Sequence, residues 1–375
     1  MHIGFNRPAV VGQEIEYMQK SIRNWHMSGN GPYTKMAERK LTEIMGARYA
    51  LLTSSCTHAL EMTAMLLDIQ HGDEVIVPAF TFVSTVNAFV LRGAKPIFID
   101  IRPDTLNMDE TLLKDLITDQ TRAIVPVHYA GVGCEMTEIM AEVESRPDIS
   151  VIEDNAHGLF ATYKGQSLGT FGKFATQSFH ETKNIHCGEG GALIVNDPDF
   201  RDRAEIIREK GTNRTQFFRG QVDKYTWVDI GSSYLLSDTM AAFLFVQLEN
   251  AEKIQAKRKQ IWDYYCTHLQ DWAATNQVQL PTIPSYVEQA YHLFYMLMPD
   301  TKVRDRFIAT LRSQNIVSTF HYQPLNRSTF GQTYTDKHCP VTEDVSQRLV
   351  RLPMYYDLTD PDLERIVENI HRFKF

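Results

Sequence analysis

From Ala47 onward the sequence alternates short Val- and Ile-rich runs with segments of helical spacing, and this rhythm constrains the fold more than any other feature. YALLTS (49–54) reads as a strand, 57–67 as a helix, GDEVIVPAF as a turn and strand, and 81–91 as a helix. KPIFIDI, RAIVPVH and ISVIED follow as strands, with helices over 109–117 and 134–143 between them. Strands alternating with helices in this way form crossover units on a mostly parallel sheet buried on both faces. Ligands bind such sheets beyond the carboxyl ends of the strands. That rule selects residues 53–57, 78–82, 128–131, 154–157 and 178–183.

The last of these stretches carries the most chemistry. Residues 178–191 read SFHETKNIHCGEGG, with Lys183 between an apolar strand (173–179) and the glycines Gly188, Gly190 and Gly191. An amine at a strand end, with glycines that let the backbone turn beside a bulky group, suits a Schiff base to pyridoxal phosphate. Burial against neighbours such as Phe179 would lower the lysine pKa and make it a nucleophile. Taken by itself, the stretch also fits a solvated loop lysine.

Other strand ends supply what such a cofactor needs. Ser54, Ser55, Cys56 and Thr57 open the helix that follows the first strand, where backbone donors and the helix dipole favour a phosphate; a plain N-cap is the other reading. Asp154 ends ISVIED and offers a carboxylate for the pyridinium nitrogen, or a helix cap, while strand alternation turns Glu153 to the opposite face. His157 either supports the ring or is structural. Phe82, in PAFTFVST, either stacks on the ring or belongs to the core.

Composition excludes several classes. A net charge of -8 with no Lys/Arg cluster argues against a nucleic-acid binder. The five cysteines are widely spaced, without a C-x-x-C pair, and read as reduced thiols rather than a disulfide or zinc framework. The N-terminal residues lack a signal-peptide core and no run is long enough to span a bilayer, so a cytoplasmic protein is expected. No G-x-G-x-x-G follows a strand, which sets aside a dinucleotide-dependent oxidoreductase.

The 375 residues allow two domains. Residues 1–245 read as a large cofactor-binding domain with N-terminal helices over 12–25 and 33–45. Residues 246–375 follow as a bridging helix and a small α/β domain. The bridge is a single long helix over 237–269, LPTIPSYVE is a linker, and the small domain has strands YHLFYML and IVSTFHY and helices over 303–312 and 360–373. After Gly211, TNRTQFFRGQVDKYTWVDIGSSY shows no period and reads as a long functional loop.

TSSCTHALEM, GDEVIVPAFTFVSTVNAFVLRGA, VPVHYAG, IEDNAHG and SFHETKN, in this order, resemble the DegT/DnrJ/EryC/StrS sugar aminotransferases. The resemblance covers essentially the whole chain. It implies the aspartate-aminotransferase fold (fold type I), with a mostly parallel seven-stranded sheet in the large domain, pyridoxal 5'-phosphate as cofactor and a homodimer. Lys183 would be the Schiff-base lysine, Asp154 the partner of the pyridine nitrogen and Phe82 the stacking ring. Ser178, Ser55, Cys56 and Thr57 would hold the phosphate, and His157 would lie near O3'. Residues 209–227 are most similar to members that move the amino group of L-glutamate onto a dTDP-linked 4-keto-6-deoxyhexose. The expected product is dTDP-4-amino-4,6-dideoxygalactose, used for surface polysaccharides. Lys210, Arg214, Arg219, Lys224 and Tyr225 in the loop, with His321, are the expected sugar-nucleotide residues; a loop that only packs the dimer is the alternative. One departure stands out. Where many members carry G-x-N-x-R toward the partner subunit's phosphate, this chain has GSSYL, leaving Ser232 or Ser233 as substitutes.

Overall fold

The structure, a computed structural model, describes residues 2–375. Its strands are β1 (Tyr49–Thr53), β2 (Glu74–Pro78), β3 (Lys95–Ile99), β4 (Thr121–Ile124), β5 (Ser150–Asp154), β6 (Thr162–Tyr163), β7 (Gln166–Ser167), β8 (Phe174–Ser178) and β9 (Gly191–Val195), then β10 (Val287–Glu288), β11 (Tyr295–Leu297) and β12 (Leu349–Arg351). Seven form the central sheet in the order β1-β9-β8-β5-β4-β2-β3. Only β9 runs against the rest, pairing antiparallel with both β1 and β8. The remaining pairs are parallel; helices lie in the crossovers from β2 to β3 and from β4 to β5, whereas the connection from β5 to β8 carries only the short strands β6 and β7. The seven-stranded, mostly parallel sheet is thus as expected. β2, β5, β8 and β9 are buried along their whole length; GALIV of β9 is the apolar run expected there, whereas SVIED of β5 and FATQS of β8 carry buried polar residues.

Alternation along β5 explains an unexpected polar cluster. Glu153 is fully buried on the face opposite Asp154, and its carboxylate accepts from the backbone N–H groups of Gly169, Phe171 and Gly172 at 2.7–2.9 Å. His128 Nε2 completes the set at 2.9 Å. Four partners offset the desolvation of this carboxylate, which anchors the 167–172 turn beneath β5.

Three expectations need correction. The helix over 237–269 is two helices, Asp238–Glu249 and Ala251–Thr275. Asn250 separates them: its side-chain Nδ2 donates to the Val246 carbonyl at 2.9 Å, and its backbone leaves helical values at φ -99, ψ 13. IVSTFHY is not a strand. It pairs only through isolated bridges, Ile3 with Ile316 and Thr319 with Arg351, because it forms a cavity wall with Phe320 left 47% exposed. The C-terminal sheet is instead β11 paired antiparallel with β12, a strand the sequence did not single out. Finally, 109–117 shortens to a 3-10 turn, Glu110–Leu112, running into the one-turn helix Leu113–Leu116.

The C-terminal part has its own core. Ile261 and Tyr265 of the long helix pack with Phe294, Met296, Phe307 and Val350. Burying side chains of this size is worth roughly 1.5–3 kcal/mol each, enough to make the segment a stable wall rather than a mobile flap.

Candidate active site

Beyond the carboxyl ends of the strands lies a cavity of about 690 Å³. β1 ends at Thr53 and the chain turns through Ser54 and Ser55 into helix Cys56–Leu66, so Cys56 and Thr57 face the cavity from a helix N-terminus. Ser55 is the N-cap: its Oγ accepts from the His58 N–H at 3.1 Å. Thr57 Oγ1 donates to Ser84 Oγ at 2.8 Å, tying this helix start to the next one, Val83–Val90. Gly191, opposite, comes so close that an added Cβ would lie 2.4 Å from the Cys56 nitrogen. Only glycine permits that approach.

Asp154, at the end of β5, is 5% exposed. Its Oδ2 accepts from Thr85 at 2.7 Å and its Oδ1 from the Ala156 N–H at 3.2 Å. Burial pushes this carboxyl above the usual carboxylate range, against the Thr85 and Ala156 hydrogen bonds and the nearby Lys183 charge. Lys183 follows β8 through a tight turn closed by its own N–H to the His180 carbonyl at 2.9 Å. Desolvation lowers its amine to about 8, with the Arg351 cation pushing the same way and Cys56 and Asp154 opposing. The Cys56 thiol is pushed up to about 12 by burial and by the Asp154 carboxylate. It stays a neutral wall.

His157, His292 and His321 form the far side. His157 stacks on His292 at 4.2 Å between centroids and lies 6.2 Å from His321. Desolvation holds all three imidazoles well below their ordinary pKa, hence neutral. Asn184 Nδ2 donates to the Gln255 and Ala290 oxygens, so its Oδ1 accepts from His292 Nδ1 at 2.9 Å and fixes that tautomer. His321 Nδ1 pairs with the Tyr129 hydroxyl at 2.9 Å.

The cavity therefore brings together Lys183, Asp154, His157, Ser178, Phe82, Ser55, Cys56, Thr57 and His321. Phe82 is 57% exposed and faces the opening, so it is not a core residue. Of the five selected strand ends, 128–131 contributes no lining residue; its His128 is committed to Glu153. The loop cations lie elsewhere. Lys210, Arg214, Arg219, Lys224 and Tyr225 are exposed and do not line this cavity. Arg219 is held by both oxygens of Glu205 at 2.8 and 2.6 Å, and Arg214 lies 5.2 Å over Phe218. Ser232 and Ser233 are also exposed and outside it. Thr85, Asn184, His292 and Arg351 were not singled out from sequence. A Thr-x-x-x-Thr spacing (Thr81, Thr85) at a helix start was the one available signal, and the two hydroxyls are indeed 2.9 Å apart.

A larger groove, about 1140 Å³, opens at the other end of the strands by Ile149 and Lys173. It contains none of the residues marked by the sequence and lies on the side of the sheet that such ligands avoid.

Residues 8–371 match the DegT/DnrJ/EryC1/StrS aminotransferase family. The chain belongs to that family. It is therefore a pyridoxal 5'-phosphate-dependent aminotransferase with the type I fold. It is 33% identical to the uncharacterized protein MJ1066 of Methanocaldococcus jannaschii, over 98% of this chain and 96% of that protein. Among solved structures, the putative sugar aminotransferase Spr1654 from Streptococcus pneumoniae, in its PMP form, superposes with a TM-score of 0.91 at 28% identity, covering 98% of each chain. The aminotransferase TlmJ from Streptoalloteichus hindustanus gives 0.90 at 26% identity, again over 98% of each chain.

The residues present suit pyridoxal phosphate. His157 Nδ1 is a buried polar atom without a hydrogen-bond partner in the lining of the site, and the Cys56–Thr57 helix start lines it beside Ser178, where the first backbone N–H groups of a helix favour an anion. A polar ring with a phosphate answers all of these groups. Among the described residues, no helix is long and apolar enough to cross a membrane, and no cluster of His, Cys, Asp and Glu could hold a metal ion.

Proposed function

We propose that the protein moves the amino group of L-glutamate to C4 of dTDP-4-dehydro-6-deoxy-D-glucose, giving dTDP-4-amino-4,6-dideoxy-D-galactose. The observation that carries the catalytic half of this reading is the desolvated Lys183 amine in one cavity with the buried Asp154 carboxylate. A sugar acceptor is supported by the family and by the description of Spr1654 as a putative sugar aminotransferase. The dTDP-linked 4-keto acceptor rests on the resemblance of residues 209–227.

When bound, pyridoxal phosphate supplies an electron sink for the carbon next to the transferred nitrogen. Lys183 Nζ would be the covalent anchor and the base that takes and returns a proton at that carbon. Asp154, oriented by Thr85, would hold a proton at the pyridine nitrogen, whose positive charge would offset the cost of the buried anion. Phe82 would hold a ring face, and His157, whose Nδ1 has no partner, would serve the ring oxygen. Ser178, with the Cys56–Thr57 helix start, would hold the phosphate.

Residues 1–245 and 246–375 are read as two domains, supported by the separate C-terminal core and by the helix break at Asn250. A cytoplasmic homodimer is proposed, with residues 216–234 crossing to the partner. The 69% exposed Phe218 and 78% exposed Trp227 support this, since large apolar side chains seldom stay uncovered together. An active monomer in sedimentation would overturn it.

Incubation with the keto sugar and L-glutamate, followed by NMR of the product, tests the reaction. An axial amine at C4 is expected. An equatorial amine would assign the C4 epimer, dTDP-4-amino-4,6-dideoxyglucose, and an unreacted 4-keto sugar with amination of the 3-keto isomer would make this a 3-keto-sugar enzyme.

A further inference from the structure

His157 makes no side-chain hydrogen bond among the described residues, and its Nδ1 is buried without a partner. No polar contact therefore fixes its ring, whose second torsion is intrinsically broad. What holds the plane is packing. The imidazole of His292 stacks on it, 4.2 Å between centroids and 24° between planes, while Tyr129 and His321 are 6.0 and 6.2 Å away. Both stacked rings line the cavity.

His292 is fixed where His157 is not. Its backbone carbonyl, and that of Tyr291, accept from Arg258, a buried arginine of the helix Ala251–Thr275. Its ring is held by Asn184, the residue after Lys183, whose Oδ1 accepts from His292 Nδ1 at 2.9 Å. The Ala290 carbonyl decides that orientation, because a carbonyl can only accept. Asn184 Nδ2 donates to it at 2.7 Å and Gln255 Nε2 at 3.0 Å, and Gln255 Oε1 takes the second Asn184 proton at 2.9 Å. The amide also differs in charge from the partner of His128, which is the carboxylate of Glu153. A carboxylate favours the imidazolium, whereas asparagine orients His292 without drawing a second proton onto it. Both stacked rings stay neutral in their desolvated setting.

We propose that His292, braced by Asn184, is a positioning residue that fixes the plane in which His157 meets the cofactor's ring oxygen. The inference rests on the aminotransferase reading and adds to it two residues that act through a third. The route runs from the long helix through Gln255 and Asn184 to His292 and then to His157. The turn that carries Lys183 and the imidazole at the ring oxygen thus share one support. Without the stack His157 rotates, and its Nδ1 lies in the plane of the ligand less of the time. Filling space alone would not need this chain of contacts: an aliphatic side chain at position 292 would pack as well and leave no buried donor to satisfy.

The test is a double-mutant cycle between His292→Gln and His157→Ala, with a second arm on the apoprotein. Glutamine still donates to Asn184 but offers no ring to stack on. In the cofactor-loaded protein, His292→Gln should lower kcat by about tenfold with both KM values within about threefold of wild type. It should also move the pH midpoint of the bound cofactor's absorbance in the same direction as His157→Ala. Made in the His157→Ala background, it should change neither quantity further, because its route of action is gone. Asn184→Leu should move both by less, again only while His157 is present, and it carries the cycle if His292→Gln does not fold. In the apoprotein, nitrogen NMR of the histidine rings should place the His292 proton on Nδ1, and Asn184→Leu should let it exchange with Nε2. Additive effects in the cycle, an absorbance midpoint unmoved by both His292→Gln and Asn184→Leu, or a wild-type His292 proton on Nε2 would each overturn the proposal. A wild type that forms no cofactor band would remove the aminotransferase reading and this proposal with it, whereas a normal wild-type band with an additive cycle overturns the proposal alone.

Discussion

The floor of the cavity and the loop after Gly211 are opposite kinds of surface. At the floor, Asp154 and Ser178 end strands whose backbones are held on both sides by the sheet and Lys183 follows one of them through a tight turn, and Asp154 and Lys183 are desolvated enough for their chemistry to be set by neighbours. The loop holds one short helix, Arg214–Phe218, with Phe218 and Trp227 open to solvent and Arg219 held by Glu205. The floor gathers its groups around one cavity, whereas the loop leaves Phe218 and Trp227 uncovered. A rigid sheet edge thus fixes reacting groups, and an irregular loop leaves its contacts open.

The sharpest way to break the contrast is at Lys183. Lys183→Ala should retain weak cofactor binding but lose turnover by about four orders of magnitude, the upper end of what a positioned base contributes. Its cofactor absorbance should be that of a free aldehyde, without the imine band. Turnover within tenfold of wild type would mean that the floor is not where the chemistry happens. Asp154→Asn comes next, with about two to three orders lost in kcat and a melting temperature close to wild type, because the amide oxygen still accepts from the Ala156 N–H while the amide nitrogen donates to the Thr85 hydroxyl. A variant that melts early instead would make Asp154 a cap for the turn that follows.

How much of this was readable follows from the same contrast. Period-two alternation in ISVIED assigned Asp154 and Glu153 to opposite faces, and both assignments hold because a strand buried on two sides allows no other register. Lys183 was readable because a strand, a turn and glycines punctuate it. Arg351 and His292 were not, since they reach the cavity from segments more than a hundred residues further along the chain and nothing local marks them. IVSTFHY misled through its β-branched residues: its strand propensity is real, but only Ile316 and Thr319 have bridge partners, and the other side of the segment is cavity. The break at Asn250 was hidden because asparagine is an ordinary helix-surface residue until its side chain turns back on the Val246 carbonyl.

A pH series sharpens the comparison by a smaller effect. An ordinary lysine loses its proton near 10.4, but the Lys183 amine does so at about 8. Uptake of pyridoxal phosphate by the apoprotein needs the uncharged amine, so its rate should rise about tenfold per unit up to about pH 8 and then level off. A rate still climbing at pH 9.5 would place Lys183 in solvent. Stability carries the same sign. Between about pH 8 and 10.5 the unfolded chain holds a proton that the native lysine has lost, so this residue makes the apoprotein more stable as pH rises through that window. Below it, both states are protonated and the cost of burying the charge is felt in full.

The smallest expected effect tests the loop. Arg219 spends both ends of its guanidinium on Glu205, which is itself largely buried and also lies 3.9 Å from Arg201. Reversal by Arg219→Glu therefore does two things: it removes a cation from the proposed nucleotide surface, and it sets two carboxylates against each other. The second effect must be separated from the first. Glu205→Gln breaks the ion pair while leaving the Arg219 cation in place, so it reports the structural share alone. If the loop binds a diphosphate, Arg219→Glu should raise KM for the nucleotide sugar by about three- to tenfold, with KM for L-glutamate unchanged, and Glu205→Gln should leave both near wild type. If the loop only packs two subunits together, the two variants should instead weaken the dimer in parallel, in sedimentation at low protein concentration, with both KM values moving together. The discriminating quantity is the ratio of the two KM changes. A folding defect lowers the amount of active enzyme without changing that ratio, whereas a lost diphosphate contact changes it even when the protein is as stable as before.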